Sequence, residues 1–345
     1  MLKYSLKRIL LAFITAFIII TLTFFLVKSL PGGKIFAPQE NTRLAFYFDQ
    51  VEIGYVLDCM VESPQYGTLL EKITDLDNVD HYFYQTPILD QYFAWLKRIV
   101  TAWDWGTSTV IKPNYSTTTI IMERLPVSVS INIISVLISV PLGILLGNVA
   151  GLNKNTWIDH TISTLVMIFI SIPSFVIISF MIYFFAFKGN LPLRWPSSDA
   201  ATSQKFLGYI IPVLSLSFGS ICGYCRSVRA ELCEVMSSEY LILARTKGLT
   251  RRQAITRHAL RNAFVPILPS VLAEFIGVFS GSMILENLYN INGIGDLYIY
   301  ALNNKDYNVL FVDMAIFTTI SLLAGIVTDL SYGFIDPRIR MGEKK

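Results

Sequence analysis

Long runs of apolar residues recur along the chain, separated by polar stretches of very different length. Six runs are long enough to be spanning helices: residues 9–27, 125–153, 161–187, 206–225, 262–285 and 307–328. The hydrocarbon core of a bilayer is about 30 Å thick, so a helix crosses it in about 20 residues. Lipid offers no partners for backbone groups, and these runs lack strand-like alternation, which favours helices. The pattern therefore predicts an all-α membrane protein with six transmembrane helices.

The first two runs are separated by a long polar segment, residues 29–124, which contains more acidic than basic residues. The segment is also rich in aromatic residues, including Trp95, Trp103 and Trp105. Disordered segments are typically poor in aromatic side chains. We therefore expect a folded extracytoplasmic segment, with a short amphipathic helix over residues 89–100.

Composition narrows the class of protein. Hydrophobic residues make up 53% of the chain and charged residues 15%, and the mean hydropathy is +0.52. Soluble proteins average about 25% charged residues, so this chain has too few charges to cover a soluble globule. With 20 Gly, 14 Pro and 4 Cys among 345 residues, collagen-like, disordered and disulfide-stapled classes are excluded too.

The distribution of basic residues predicts the orientation. Short cytoplasmic loops are enriched in Lys and Arg. With both termini placed in the cytoplasm, more than half of the 28 Lys and Arg residues fall on that side. The N-terminal apolar run is longer than a signal-peptide core and no A-x-A site follows it, so we expect an uncleaved anchor. The net charge of +3 is too mild to indicate a nucleic acid partner.

The loop after the fourth run, residues 226–262, is the most basic part of the chain. Its sequence predicts a helix capped by Ser237 or Ser238, a stop at Gly248, and a second helix capped by Thr250 with a glutamine at capping-box spacing. A compact basic helix pair between two spans is a candidate docking surface for a cytoplasmic protein. The same arginines are equally compatible with fixing the topology and contacting anionic lipid.

Short motifs in and around this loop are similar to those of a known transporter family. The loop contains A-R-T-K-G-L at 244–249 and R-H-A-L-R-N-A at 257–263, with further matches at 124–126, 171–175, 191–192, 281–286, 293–295, 306–307 and 336–340. They resemble the permeases of binding-protein-dependent ABC importers, in the branch that transports oligopeptides, dipeptides and nickel. The wider family has E-A-A-x-x-x-G in the loop, whereas here Ile242 and Leu243 occupy the positions of the glutamate and the first alanine.

The resemblance implies a chain that forms half of a translocation path in the cell membrane and is not itself an enzyme. Residues 1–28 would form the cytoplasmic N-terminus and first helix, and residues 29–124 the extracytoplasmic segment. Residues 125–340 would form the permease core, followed by a cytoplasmic tail at 341–345.

The resemblance also implies partners. They are a second permease subunit in a heterodimer, two cytoplasmic ATPase subunits and an extracytoplasmic substrate-binding protein, together with membrane lipid. No cofactor is expected on this chain, whose sequence contains no G-x-x-x-x-G-K-[ST] phosphate loop. ATP and Mg²⁺ would be bound by the ATPase subunits. The first helix of the loop would be the coupling helix, which contacts an ATPase subunit through Glu239, Tyr240, Ala244, Arg245, Lys247 and Gly248.

Two acidic residues interrupt the last two apolar runs: Glu274 lies in the fifth and Asp313 in the sixth. Ionisable side chains are costly to bury in a membrane, which makes them default candidates for function. Either could line the substrate path, by binding a peptide amine or relaying protons. The alternatives are pairing with a neighbouring subunit, or hydration near the membrane surface.

Cys222 and Cys225 form a C-x-x-C motif, which in a soluble chain would suggest redox or metal chemistry. At the end of a membrane span we expect them to serve as small residues for helix packing. His81, His160 and His258 are scattered along the chain and predict no metal site.

Oligopeptides are the substrate that we expect, with dipeptides or nickel as alternatives within the same branch. A proton-coupled secondary transporter is disfavoured because no inverted repeat is detectable. A membrane-anchored sensor is disfavoured because the chain has no cytoplasmic output domain after its last span.

Overall fold

The computed structural model describes residues 2–30, 43–63, 65, 67–75 and 77–335. Four helices in this part are long and apolar enough to cross a membrane, and up to six spans result if each of two bent helix pairs is one span. Each predicted span is thus represented by helix, although two of the six are broken. The motif at 336–340 and the tail at 341–345 lie outside the described residues.

The helices are numbered along the chain. They are α1 (Leu2–Ser29), α2 (Arg43–Glu52), α3 (Ile88–Ala102), α4 (Thr117–Leu152), α5 (Trp157–Ile170), α6 (Ser174–Met181), α7 (Thr202–Met236), α8 (Glu239–Thr246), α9 (Arg251–Ala254), α10 (Leu260–Ala263), α11 (Leu268–Gly277), α12 (Met283–Leu288), α13 (Ile294–Asn303) and α14 (Tyr307–Ile335). Two π-helical stretches, Ile182–Phe187 and Ile255–Ala259, continue α6 and join α9 to α10.

The chain divides into two compact units. The core unit takes in the described parts of Met1–Ile14, Arg124–Asp296 and Thr319–Lys345. The cap unit consists of the described parts of Thr15–Glu123 and Leu297–Thr318. The predicted extracytoplasmic segment therefore folds together with parts of the first and last spans.

Two of the predicted spans are bent sharply within the core unit. The third turns by 96° between α5 and the helix Ser174–Phe187. Pro173 stands at this break, where its ring and missing N–H oppose continuation of the preceding helix. The fifth bends by 49° between Arg251–Ala263 and Leu268–Ser280. The fifth span was predicted to end at residue 285. Its helix ends earlier, because Gly281 leaves helical geometry with a φ of +66°.

Close packing of α4 against α7 explains part of the core. Gly143, Gly147 and Gly151 recur every four residues on one face of α4. A Cβ atom added at Gly143 would lie 2.6 Å from the Cβ of Tyr224, and one at Gly147 would lie 2.7 Å from the Cβ of Val228. Small residues let helices approach closely where the hydrophobic effect cannot drive association.

The cap unit contains a small sheet that the hydropathy pattern did not indicate. The strands β1 (Val56–Cys59), β2 (Thr68–Thr74) and β3 (Asp80–Gln85) pair antiparallel in the order β1-β3-β2. Helix α2 contributes Tyr47, fully buried, whose ring stacks on Phe83 of the central strand at 4.7 Å between centroids. The predicted amphipathic helix over 89–100 is confirmed as α3.

One buried carboxylate organises a turn of the cap unit. Asp306, fully buried at the start of α14, accepts hydrogen bonds from Ser108 Oγ at 2.6 Å and from the backbone N–H groups of Val110 at 3.0 Å and Ile111 at 2.9 Å. The N–H of Thr109 adds a longer contact of 3.3 Å. Because several N–H donors surround the carboxylate, its burial without a cation is compensated.

Candidate functional site

The helix pair predicted for the loop at residues 226–262, which we name the coupling loop after the role expected of it, is confirmed. Helix α8 runs from Glu239 to Thr246, and Gly248 then takes a φ of +93°, a conformation that glycine adopts without strain. The helix that follows begins with a complete capping box. Thr250 Oγ1 accepts from the N–H of Gln253 at 3.3 Å, and the Gln253 side chain accepts from the N–H of Thr250 at 3.1 Å.

The cap predicted for α8 is only half correct. Ser238 occupies the N-cap position, but its side chain makes no capping hydrogen bond. Its hydroxyl donates instead to the carbonyl of Val235, at 2.5 Å. The sequence pattern thus locates the start of α8 correctly, but the Ser238 hydroxyl satisfies a carbonyl at the end of α7.

A single buried side chain anchors α8 to the rest of the core unit. Leu241 packs into a cluster of buried residues with Leu232 of α7 and with Ala254, Ala259 and Ala263 from the helix that follows the turn. The small alanines let the two short helices lie close to α7. This contact holds α8 against the end of α7.

A different face of α8 is largely exposed, although Ala244 on it is half-buried. Tyr240, Leu243, Ala244 and Lys247 share one face, because they lie three, four and seven residues apart. Leu243 is 55% exposed and Tyr240 is 40% exposed. Glu239 and Arg245 are also exposed beside this strip, and a Cβ atom at Gly248 would meet nothing within 4 Å. We call the four residues the α8 face: an apolar strip with a basic end.

Glu274 borders a cavity of about 190 Å³ in the core unit. The cavity is lined on its polar side by Asn132 and Ser135 of α4 and Ser220 of α7. Ser220 Oγ donates to Glu274 Oε1 at 2.6 Å. The sequence indicates the Glu274 carboxylate, because a charge stands out in an apolar run. It does not indicate the three polar neighbours, because uncharged Ser and Asn residues are common in such runs and form no motif here.

Asp313 has different surroundings from Glu274. It belongs to the cap unit, is fully buried, and is not among the residues that line the Glu274 cavity. The structure therefore supports Glu274 as a cavity residue and gives Asp313 a packed environment.

Two buried acidic groups of the core unit were not predicted as functional residues. Asp159 accepts from Arg229 Nε at 2.5 Å and Nη2 at 2.9 Å, which joins α5 to α7. Glu286 accepts from the N–H groups of Ser282 at 3.0 Å and Gly295 at 2.8 Å. Burial raises the pKa of Glu286, and these donors oppose that shift. Both carboxylates have internal partners: Asp159 joins two helices, and Glu286 fixes the backbone around α12.

Cys222 and Cys225 pack into a buried cluster with Val166 of α5. This packing agrees with the expectation that they are small residues at a helix contact. Among the described residues, no group of three or more His, Cys, Asp or Glu side chains is placed to hold a metal ion.

Comparisons with known proteins cover most of the chain. Residues 139–341 match the family described as the binding-protein-dependent transport system inner membrane component. The chain is 33% identical over 341 residues to the dipeptide transport system permease protein DppB of Lactococcus lactis subsp. cremoris, with 99% of this chain and 100% of the relative covered. It is 30% identical over 340 residues to the oligopeptide transport system permease protein OppB of Escherichia coli, with the same coverage.

A solved structure shows the same fold. The crystal structure of an amino acid ABC transporter with histidines superposes with a TM-score of 0.50 and 17% identity. The match covers 63% of this chain and 94% of that chain.

Proposed function

Because this chain belongs to the family of binding-protein-dependent transport system inner membrane components, we propose that it is the permease subunit of an ATP-driven importer of oligopeptides. The observation that carries the proposal is the full-length similarity to relatives named as peptide permeases, at 33% and 30% identity. The chain would form half of the path, beside a second permease subunit. An extracytoplasmic binding protein would deliver the peptide, and two ATPase subunits would bind ATP and Mg²⁺.

The α8 face is the part of the chain that we assign to the ATPase subunit. Tyr240 and Leu243 offer apolar surface, Ala244 permits close approach, and Lys247, with Arg245 beside the face, supplies positive charge. Leu241 holds the helix on α7, so a push on α8 is transmitted to a spanning helix instead of being lost in a flexible loop. Closure of the ATPase subunits would then bias the path between its inward-open and outward-open states.

The Glu274 cavity is the part of the chain that we assign to the peptide. A peptide carries amide groups and a terminal ammonium, and the cavity offers a carboxylate, an amide and two hydroxyl groups as hydrogen-bonding partners. Charged groups that face a cavity within a membrane protein are typical of substrate pathways. Selection among peptides would rest mainly with the binding protein.

The test of the α8 assignment places the same bulky side chain on two faces of one helix. Ala244→Trp adds bulk to the α8 face, whereas Ile242→Trp adds it to a position 58% exposed on the roughly opposite face. We expect Ala244→Trp to reduce co-purification of the ATPase subunits and ATP-driven peptide uptake at least tenfold. Ile242→Trp should leave both near wild type, and both variants should stay monodisperse in detergent.

Three results would count against the proposal. Normal assembly and uptake in Ala244→Trp would remove the coupling role of the α8 face. Uptake that persists without ATP but stops without a proton gradient would favour a secondary transporter. Uptake of nickel but of no peptide, in proteoliposomes that contain the whole importer, would change the substrate class.

A further inference from the structure

The cap unit encloses a cavity of about 360 Å³ that the transport mechanism above does not use. Its walls come from the end of α1, from α2 and α3, and from the start of α14. Three buried aromatic side chains, Phe24, Trp95 and Phe311, form the apolar side of the cavity. Ligand sites of this size are typically apolar clefts with a few placed polar groups.

The polar side of this cavity contains the Lys28 ammonium and the Arg98 guanidinium, together with the carboxylates of Asp49, Glu52 and Asp104. Lys28, half-buried at the end of α1, lines the cavity with its Nζ 4.1 Å from the centre of the Tyr55 ring. Within the part of the chain that the structure describes, no carboxylate forms an ion pair with Lys28. The face of an aromatic ring attracts a cation but carries no net charge. Buried charges are normally paired, so the Lys28 ammonium has room for an anionic partner.

The neighbouring groups do not supply that anion. Arg98, which also lines the cavity, pairs with one of its carboxylates, since its Nη1 lies 3.2 Å from Asp104 Oδ2. Arg98 Nη2 donates to Tyr55 Oη at 3.1 Å. Burial raises the pKa of Tyr55 to about 12, so its phenol stays neutral at physiological pH. Arg98 Nε is buried and has no hydrogen-bond partner among the described residues, which adds a second donor to the same region.

The rim of the cavity has the opposite charge. Asp49 and Glu52, one turn apart on α2, line the cavity and are exposed. The cavity therefore offers cations beside an aromatic wall and carboxylates toward solvent. A ligand that matches this arrangement has a carboxylate at one end and an ammonium group at the other.

We propose that the cap cavity binds a short zwitterionic peptide, whose terminal carboxylate pairs with Lys28 and whose ammonium group faces Asp49 and Glu52. The choice of a peptide over another zwitterion rests on the proposed function. The site is separate from the Glu274 cavity, which belongs to the core unit. It gives the permease its own contact with substrate, in addition to that made by the binding protein.

The test compares two ligands that differ at one end. Binding of radiolabelled trialanine and of its C-terminal amide is measured on the assembled permease and ATPase complex in phosphatidylcholine nanodiscs, without the binding protein. We expect wild type to bind trialanine at least tenfold more tightly than the amide. Lys28→Gln should abolish this difference, Lys28→Arg should restore most of it, and Lys97→Gln, an exposed lysine on α3, should leave it unchanged.

Two outcomes overturn the proposal: equal affinity of wild type for the two ligands, or a carboxylate preference that survives in Lys28→Gln. Loss of trialanine binding in phosphatidylglycerol nanodiscs would also overturn it, because a lipid phosphate would then be the natural partner of Lys28. ATP-driven peptide uptake by the whole importer is measured separately, to distinguish failure of the proposed function from failure of the cavity proposal. Absence of all peptide uptake contradicts the proposed function, whereas normal uptake with a carboxylate preference independent of Lys28 contradicts the cavity alone.

Discussion

The cap unit and the coupling loop satisfy their polar and apolar groups in different ways. In the cap unit, Asp306 is enclosed by donors from one turn, and Tyr47 is enclosed by the sheet. In α8, Leu241 is the one buried residue, and neighbouring apolar side chains such as Leu243 face outward. Groups that are satisfied internally, as in the Asp306 turn and around Tyr47, mainly stabilise the fold, whereas the cavity beside Lys28 in the same unit keeps donors available. A region that leaves apolar groups exposed on a rigid helix is suited to a partner.

This contrast predicts whether a substitution lowers stability or impairs assembly and transport. A change in the Asp306 turn should lower the free energy of unfolding, because it leaves buried donors without an acceptor. A change on the α8 face should leave the isolated chain intact and alter assembly or transport. The predictions below run from the largest expected effect, on stability or on transport, to the smallest.

Asp306→Ala gives the largest expected effect. It removes the acceptor for the buried Ser108 Oγ and for the partly buried N–H groups of Val110 and Ile111. Each such group costs about 1–3 kcal/mol when buried, and two of the three are only partly buried, so we expect a loss of about 3–5 kcal/mol, at the lower end of the sum. A fall in the thermal transition of the detergent-solubilised chain, with faster proteolysis of the cap unit, would show it. Asp77→Ala, at an exposed carboxylate of the same unit, is the matched control.

If the thermal transition of Asp306→Ala equals that of the wild type, the stability of the cap unit does not depend on the Asp306 turn. The contrast drawn between the two regions would then be wrong. The same result in Asp306→Asn alone would not contradict the contrast, since an amide oxygen can still accept from part of the turn. The pair of variants therefore separates loss of the acceptor from loss of the charge.

The coupling loop was predictable because its signals are local. Thr250 and its capping partner are three residues apart, and Gly248 ends a helix that begins nine residues earlier. A pattern of this kind lies within one window of the sequence. The apolar runs were predictable for a similar reason, since the length of a span follows from the thickness of the bilayer.

The Asp306 turn was not predictable in this way. Asp306 and Ser108 are 198 residues apart, and neither lies in a pattern that points to the other. The breaks in the third and fifth spans depend on packing and on prolines that also occur in unbroken helices: Pro141 lies inside α4 without breaking it. The local fold of the loop was therefore easier to predict than the fold of the cap unit, whereas the coupling role of the loop stays a prediction.

Glu274→Gln has an intermediate expected effect, on transport more than on stability. The amide keeps the shape of the side chain and can still accept from Ser220, so the thermal transition should change little. A charged hydrogen bond to a peptide ammonium is worth about 1.5–3 kcal/mol, so uptake of peptides with a free amino terminus should fall at least tenfold. N-acetylated peptides should be unaffected in competition assays.

Ser220→Ala is the control for the Glu274 prediction, because it removes the neighbouring hydroxyl and keeps the carboxylate. It should have less effect on uptake than Glu274→Gln. If Glu274→Gln leaves the uptake of every peptide unaltered, Glu274 has no role in the path, and the cavity in the core unit is a packing feature.

The smallest expected effect separates two residues that occupy equivalent N-cap positions in the coupling loop. Thr250 Oγ1 accepts from the N–H of Gln253, whereas Ser238 makes no such bond. Loss of an N-cap costs about 1 kcal/mol, so Thr250→Ala should speed hydrogen exchange at Gln253 about fivefold without moving the thermal transition. Ser238→Ala should leave exchange at the start of α8 unchanged. Equal effects of the two variants would mean that position alone sets the order of the loop, and Thr250→Ser, which retains a hydroxyl acceptor, should restore slow exchange if the capping bond is responsible.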